Sequence, residues 1–190
     1  MSEELLLQVE DVSKIYGYGF LGRVKFPAID HVFLLDMDSK PKIFTLAGES
    51  GCGKTTLARI ISGIVEPSGG AVFYKGRNVH ALKSGEKVWF SKQVQAIFQD
   101  PYDTFNPLKK VETYLYETAR NLLKLKGYED ASKLIDESLN VTGLSLKDVK
   151  NKYPNEFSGG ELQRASIARA FMPRPKLMLA DEPVSMVDAS

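Results

Sequence analysis

The stretch Gly48-Glu49-Ser50-Gly51-Cys52-Gly53-Lys54-Thr55 limits what this chain can fold into more than any other. It fits the pattern G-x-x-x-x-G-K-S/T, and its neighbours have the character that pattern needs. Before it, Ile43-Phe44-Thr45-Leu46-Ala47 is short and apolar and reads as a strand. After it, Thr55 to Ile64 carries Leu57, Ile60, Ile61 and Ile64 on one helical face. Strand, glycine-rich turn and helix in that order predict a phosphate-binding loop. Glycines let successive N–H groups point inward as an anion nest, and the helix adds its positive dipole end. Gly48, Ser50, Gly51, Cys52, Gly53, Lys54, Thr55 and Thr56 are the residues expected around the phosphates. Lys54 would reach the β and γ phosphates, and the Thr55 hydroxyl is available to Mg²⁺. The motif specifies a nucleoside triphosphate but not the use made of its energy. Cys52 reads as a small residue tolerated in a tight loop, with a thiol that bound nucleotide would shield.

A second site element lies far downstream. Leu177-Met178-Leu179-Ala180 is an apolar strand that ends in Asp181-Glu182. Ligands of open α/β sheets sit at the carboxyl ends of strands. Asp181 there can hold Mg²⁺, mostly through water, and Glu182 can polarise an attacking water. Two carboxylates at a strand end can also be a plain solvated exit. The upstream phosphate loop favours the metal reading, because a Mg–nucleotide site needs an acid at this place.

The rest of the chain predicts an α/β framework with a helical insert. Leu5 to Val9 and Asp30 to Met37 read as strands, separated by a loop or hairpin excursion from Tyr16 to Pro27. Ala71 to Tyr74 and Gln95 to Phe98 are further strand candidates. Beyond Pro101 and Pro107 the periodicity turns helical. Val111, Tyr114, Leu115, Ala119, Leu122 and Leu123 form one stripe, and Ala131, Leu134, Ile135 and Leu139 a second. A helix from Glu161 to Phe171 returns the chain to its framework. With 190 residues and 43% hydrophobic content, one domain with a sizeable core is expected. A net charge of +1 does not suit a wholesale nucleic-acid or membrane-surface binder. One cysteine excludes an intrachain disulfide and fits a reduced, cytosolic setting. No apolar run approaches a membrane span, so a membrane role would come through a partner.

Phe157-Ser158-Gly159-Gly160-Glu161-Leu162-Gln163-Arg164 decides the class. Taken alone, Ser158 is a good N-cap and the two glycines allow close backbone approach at a helix start, a second anion-binding end. The stretch resembles the signature L-S-G-G-Q with its following Q-R of ABC transporter ATP-binding domains, with Phe157 in place of Leu and Glu161 in place of Gln. The resemblance implies a P-loop NTPase core with a mostly parallel sheet, an N-terminal antiparallel β subdomain and a helical subdomain. The chain then reads as one domain: 1–100 the ATP-binding core with the β subdomain, 101–160 the helical subdomain, 161–190 the return to the core. It implies that Ser158, Gly159 and Gly160 complete the nucleotide site of an opposing subunit. Gln99, in Ile97-Phe98-Gln99-Asp100-Pro101, matches the loop that touches Mg²⁺ or water. Tyr16 looks like the aromatic that stacks on adenine, with Tyr18 and Phe20 as alternatives and a plain core tyrosine as another reading. Ser185-Met186-Val187-Asp188 resembles the loop S-A-L-D.

The resemblance assigns Glu182, Gln99 and Lys54 to catalysis, and Thr55, Gln99 and Asp181 to the metal. Phe98-Gln99-Asp100-Pro101-Tyr102 with Phe105-Asn106-Pro107 is similar to the F-Q-D-P-Y-x-x-L-N-P of oligopeptide and dipeptide importer ATPases. The expected function is therefore ATP hydrolysis that powers import, with ATP and Mg²⁺ bound. The expected partners are a second ATPase subunit, preferably a different one, integral membrane permeases and, indirectly, an extracytoplasmic solute-binding protein. The expected place is the cytoplasmic face of the membrane, without nucleic acid. Members of this group also carry nickel or oligosaccharides, so cargo does not follow. A soluble ABC-type ATPase acting on nucleic acid or ribosomes is the competing class. Family members continue past the equivalent of Ser190 into a strand bearing a γ-phosphate histidine. His31 and His80 lie too far upstream for that role and read as surface or packing residues. Residues 1–190 alone are expected to be incomplete at the C-terminus and poorly active.

Overall fold

Two long antiparallel strands open the computed structural model, which describes residues 5–18, 24–38 and 40–184. β1 (Leu5–Tyr18) and β2 (Val24–Asp38) pair from Leu5↔Asp38 up to Tyr18↔Val24. Residues 16–18 and 24–27 of that excursion therefore continue the antiparallel pairing as a hairpin's arms. The chain divides into two compact units, Met1–Ser84 and Gly85–Ser190.

In the first unit, β3 (Gly69–Tyr74) pairs with the other side of β1, and β4 (Arg77–Asn78) extends it. The result is a four-stranded antiparallel sheet in the order β2-β1-β3-β4. Leu7, Val9, Val12, Val72 and Tyr74 supply its buried face. The ladder between β1 and β3 shifts register between Glu10 and Ser13. At that bulge Asp11 has φ 50, and Gly70 faces it with φ +74. Helix α1 (Lys54–Ile61) buries Leu57, Ile60 and Ile61. Ile64 does not join them and is 63% exposed. The helix ends earlier because Gly63 turns left-handed at φ 77. Gly63 N then donates to Ile60 O at 3.0 Å and Ile64 N to Arg59 O at 2.9 Å, the two bonds of a Schellman motif. His80 Nε2 lies 3.0 Å from the Ile60 carbonyl, so this histidine is a packing residue, and burial lowers its pKa.

The expected strand at 43–47 is not formed. Residues 40–49 carry no strand pairing, and Ile43 is 96% exposed. Apolar composition does not make a strand without a neighbour to complete its hydrogen bonds. Among the described residues, no strand offers this segment a ladder.

In the second unit, α2 (Ser84–Gln93) leads into β5 (Val94–Ile97), which pairs in parallel with β6 (Leu177–Ala180). The remaining helices are α3 (Val111–Asn121), α4 (Tyr128–Asn140), α5 (Leu146–Val149) and α6 (Gly159–Phe171). Both predicted stripes point into one core. Val111, Leu115 and Ala119 meet Ala131, Ile135 and Leu139, and α6 adds Leu162, Ala165 and Ala168. Helix α6 contacts α3 and α4 and also β5. It thus joins the helical layer to the parallel strand pair, and this shared position fixes the site described next.

Gly70 supplies a direct check on the first unit. A Cβ there would lie 2.2 Å from Asp11 O in a backbone conformation that L side chains rarely adopt. Gly70→Ala should therefore cost about 1–3 kcal/mol, read as a lower urea midpoint of unfolding.

Candidate functional site

The loop before α1 has the character of an anion site. Gly53 is the N-cap at φ 95 and provides no side-chain acceptor, and the first turn holds no acidic residue. The N–H groups and the positive dipole end of α1 are thus uncompensated by any carboxylate of the helix itself. Gly53 is required by close approach: a Cβ there would meet Ala28 O at 2.4 Å, whereas one on Gly48 would meet only the Sγ of the exposed Cys52 at 2.7 Å, which can turn away. Lys54 folds back over the loop, donating from Nζ to Gly48 O at 2.7 Å and to Glu49 O at 2.8 Å. Its ammonium also lies 3.6 Å from Cys52 Sγ. The cation is held inside the loop by carbonyls, the kind of contact that an incoming phosphate can replace. Ser50, Gly51 and Cys52 are exposed, and Thr55 and Thr56 are half-buried in the first turn of α1. Oxygen donors such as the Thr55 hydroxyl and the Asp181 carboxylate are the ligand class that Mg²⁺ takes.

Tyr16 lies on β1 directly opposite Phe26 of β2. It is 38% exposed, which sets aside the reading as a plain core tyrosine, and Lys14 Nζ sits 5.1 Å from its ring centre. Of the alternatives, Tyr18 is placed by its backbone alone. Phe20 and the 185–188 loop lie outside the described residues. His31 is exposed on β2, with Nδ1 2.5 Å from Asp11 Oδ1. That hydrogen bond, then the charge of Asp11, raises its pKa.

In the second unit the sequence places Gln99 and Glu182 far apart, and the fold brings them together. Gln99 Nε2 donates to Glu182 Oε2 at 2.6 Å. The parallel pairing of β5 and β6 causes this, because both residues lie just beyond the carboxyl ends of those strands. Asp181 N donates to Ile97 O at 2.9 Å as the last bond between the two segments. Glu182 then adopts φ 46, a left-handed conformation that a non-glycine residue keeps only when its surroundings hold it. The bond engages the amide nitrogen of Gln99, so the amide oxygen, the atom a cation takes, is not the one committed to Glu182.

The start of α6 differs from the start of α1. Ser158 caps it, accepting from Glu161 N at 3.2 Å. Glu161 reaches back, accepting from Ser158 N at 2.8 Å and from Ser158 Oγ at 2.9 Å. A carboxylate thus fills the donor end that Ser158, Gly159 and Gly160 were expected to offer another molecule. The backbone bond from Ser158, then its hydroxyl bond, hold the Glu161 carboxyl below the usual carboxylate range. Sequence reasoning also gave no task to Gln163. Its motif position was visible, but its burial and its two carbonyl partners depend on elements far away in the chain.

Residues 37–185 match the family model described as "ABC transporter". The chain belongs to the ABC transporter family. A putative oligopeptide transport ATP-binding protein, YkfD, of Bacillus subtilis (strain 168) is 38% identical over 185 residues, 97% of this chain and 55% of that one. A nickel import ATP-binding protein, NikE, of Escherichia coli is 37% identical over 184 residues, 96% of this chain and 68% of that one. The chain thus spans little more than half the length of its oligopeptide-transport relative. Among solved structures, the dimeric post-hydrolysis state of the ATP-binding cassette MJ0796, bound to ADP and Pi, superposes with a TM-score of 0.76 at 26% identity. That match covers 97% of this chain and 77% of the other. The ABC family fold, a P-loop NTPase of the α/β class, is therefore shown. Among the described residues no helix is long and apolar enough to cross a membrane.

The ionised capping box gives a pH prediction. A carboxyl whose folded pKa is depressed contributes stability above its unfolded pKa and loses it as pH falls through the folded value. Glu161→Gln should therefore flatten the acidic arm of the stability–pH curve, measured by denaturant titration between about pH 3 and 7. An unchanged acidic arm would contradict the assignment.

Proposed function

We propose that this chain binds ATP with Mg²⁺ and hydrolyses it to drive import across a membrane, as the ATP-binding subunit of a peptide importer. The observation that carries the hydrolytic reading is the 2.6 Å bond from Gln99 to Glu182. It holds a carboxylate that can accept a proton beside an amide that can orient water. Binding rests on the loop before α1, where Gly48 to Gly53 present main-chain donors and Lys54 supplies the mobile cation. Tyr16, and Phe26 opposite it, offer aromatic faces for the adenine, and such stacking is worth roughly 1–3 kcal/mol. The phosphates therefore carry most of the affinity.

Thr55 and Asp181, with Gln99 through its amide oxygen, would hold Mg²⁺, which supplies charge neutralisation of the phosphate oxygens when bound. This chain's residues do the rest. The loop amides and Lys54 bind and orient the triphosphate, Gln99 orients the water, and Glu182 takes its proton. Ser158, Gly159 and Gly160 are assigned to a second ATPase subunit's nucleotide, with Glu161 displaced from their donors on closure. The partners in this reading are a second ATPase subunit, preferably non-identical, membrane permeases and an external solute-binding protein. The chain would then lie at the cytoplasmic face. Support comes from relatives named for oligopeptide transport and from the Phe98–Tyr102 and Phe105–Pro107 stretches. Relatives named for nickel import are equally similar and make nickel the second reading.

Two variants separate binding from chemistry in the full-length protein. Lys54→Ala should sharply weaken ATP binding by calorimetry, and unchanged affinity would contradict its role. Glu182→Gln should bind ATP as the wild type does and lose roughly 10²–10⁴-fold in turnover, the range for removing a general base. Equal turnover in Glu182→Gln would remove it from that role. For the cargo, disrupting the gene should abolish uptake of labelled oligopeptides and leave nickel uptake intact; the reverse pattern would establish the nickel reading.

A further inference from the structure

Gln163 is fully buried, at 0% exposure, near the start of α6. An amide has no apolar reason to lie there, since burying one costs free energy unless it is hydrogen-bonded. Its partners explain the choice. Nε2 donates to Pro183 O at 2.9 Å and to Phe98 O at 3.3 Å. Both partners are pure acceptors, so they fix which end of the amide faces them. Phe98 immediately precedes Gln99, and Pro183 immediately follows Glu182. The bond from Asp181 N to Ile97 O is the last between the two strand ends. Beyond it, one amide group of α6 bridges both chains.

Two further observations separate this from packing. Gln163 Oε1 is buried with no hydrogen-bond partner among the described residues. A leucine or methionine would remove that unpaired acceptor but would take the donor away from the Phe98 and Pro183 carbonyls, so the amide serves those two bonds rather than packing alone. Glu182 also sits at φ 46, and the anchored carbonyl of Pro183 is a restraint that keeps it there.

We propose that Gln163 is a positioning residue for hydrolysis: it fixes the Gln99–Glu182 pair by holding the main-chain carbonyl on the far side of each. Because Gln163 belongs to the helix that begins at Ser158, any shift of that helix start is transmitted to the water-activating pair. This rests on the reading of Gln99 and Glu182 as the hydrolytic residues.

The test uses steady-state hydrolysis by the full-length protein with Gln163→Met and Gln163→Glu. Gln163→Met keeps the shape and loses both donor bonds. Its kcat should fall at least about tenfold, with KM for ATP within about threefold. Calorimetric ATP affinity should match the wild type, and the thermal midpoint should fall only modestly, as expected for two lost hydrogen bonds. In Gln163→Glu the introduced carboxyl faces two carbonyls in a buried site, which favours its protonated form, and only that form can donate. Its kcat relative to wild type should therefore climb as pH falls, whereas that of Gln163→Met should stay flat. Wild-type kcat in Gln163→Met overturns the proposal, as does a joint loss of kcat, affinity and thermal midpoint without acid rescue. If Gln163→Met does not fold, the pH profile of Gln163→Glu decides alone, and if neither folds the role is structural and the proposal falls. A wild-type protein that does not hydrolyse ATP refutes the hydrolytic reading itself, and the proposal with it. An active wild type with an equally active Gln163→Met refutes only the proposal.

Discussion

A helix start with neither a side-chain cap nor an acidic residue is the constraint on which the proposed nucleotide site depends. The first turn of α1 has a glycine cap and no carboxylate, so its positive end favours an outside anion. Gly53, at φ +95, cannot carry a Cβ without striking Ala28 O. The loop geometry and the openness of the helix end are thus one feature. Lys54, bonded to the carbonyls of Gly48 and Glu49, keeps a positive charge within that loop.

The start of α6, in the second unit, contrasts with that of α1. α1 begins after a glycine-bearing loop and α6 begins with Gly159 and Gly160, yet Glu161 fills the start of α6 with a carboxylate bonded twice to Ser158. A phosphate approaching Ser158 meets an anion already there. In the proposed closure onto another subunit's nucleotide, one acceptor would be exchanged for another. The family's usual glutamine at this position would offer a neutral group instead, so this chain's substitution has an electrostatic consequence. Behind the same helix start, Gln163 reaches the carbonyls that flank Gln99 and Glu182. In the proposed reading, the helix that would meet a neighbour's phosphate is also the one that braces Gln99 and Glu182.

Much of this was legible in the sequence where a local pattern sufficed. The start of α1, its Leu57, Ile60 and Ile61 but not Ile64, and the stripes of α3 and α4 follow from spacing alone, and Val111, Leu115, Ile135 and Leu139 are all buried as their period requires. Where burial depended on a distant neighbour, local pattern failed. The 43–47 segment has a strand's composition but no ladder partner among the described residues, and Ile43 lies exposed. Helix α2 shows no apolar stripe and buries only Phe90, so periodicity could not reveal it. The motifs supplied Gln99 and Glu182 as separate candidates, and the parallel pairing of β5 and β6 is what joins them. Gln163 was visible only as a letter in a motif, because its role is set by two carbonyls contributed by other elements.

The central claim is that recognition is of phosphate, by main-chain donors and Lys54 at the start of α1. Calorimetric titration of the protein with AMP, ADP and ATP, at fixed Mg²⁺ and pH, tests it most directly. The account predicts a marked gain in affinity from AMP to ADP and ATP, because only the longer chains fill the loop. Equal affinity for all three would place recognition on the base and contradict the account.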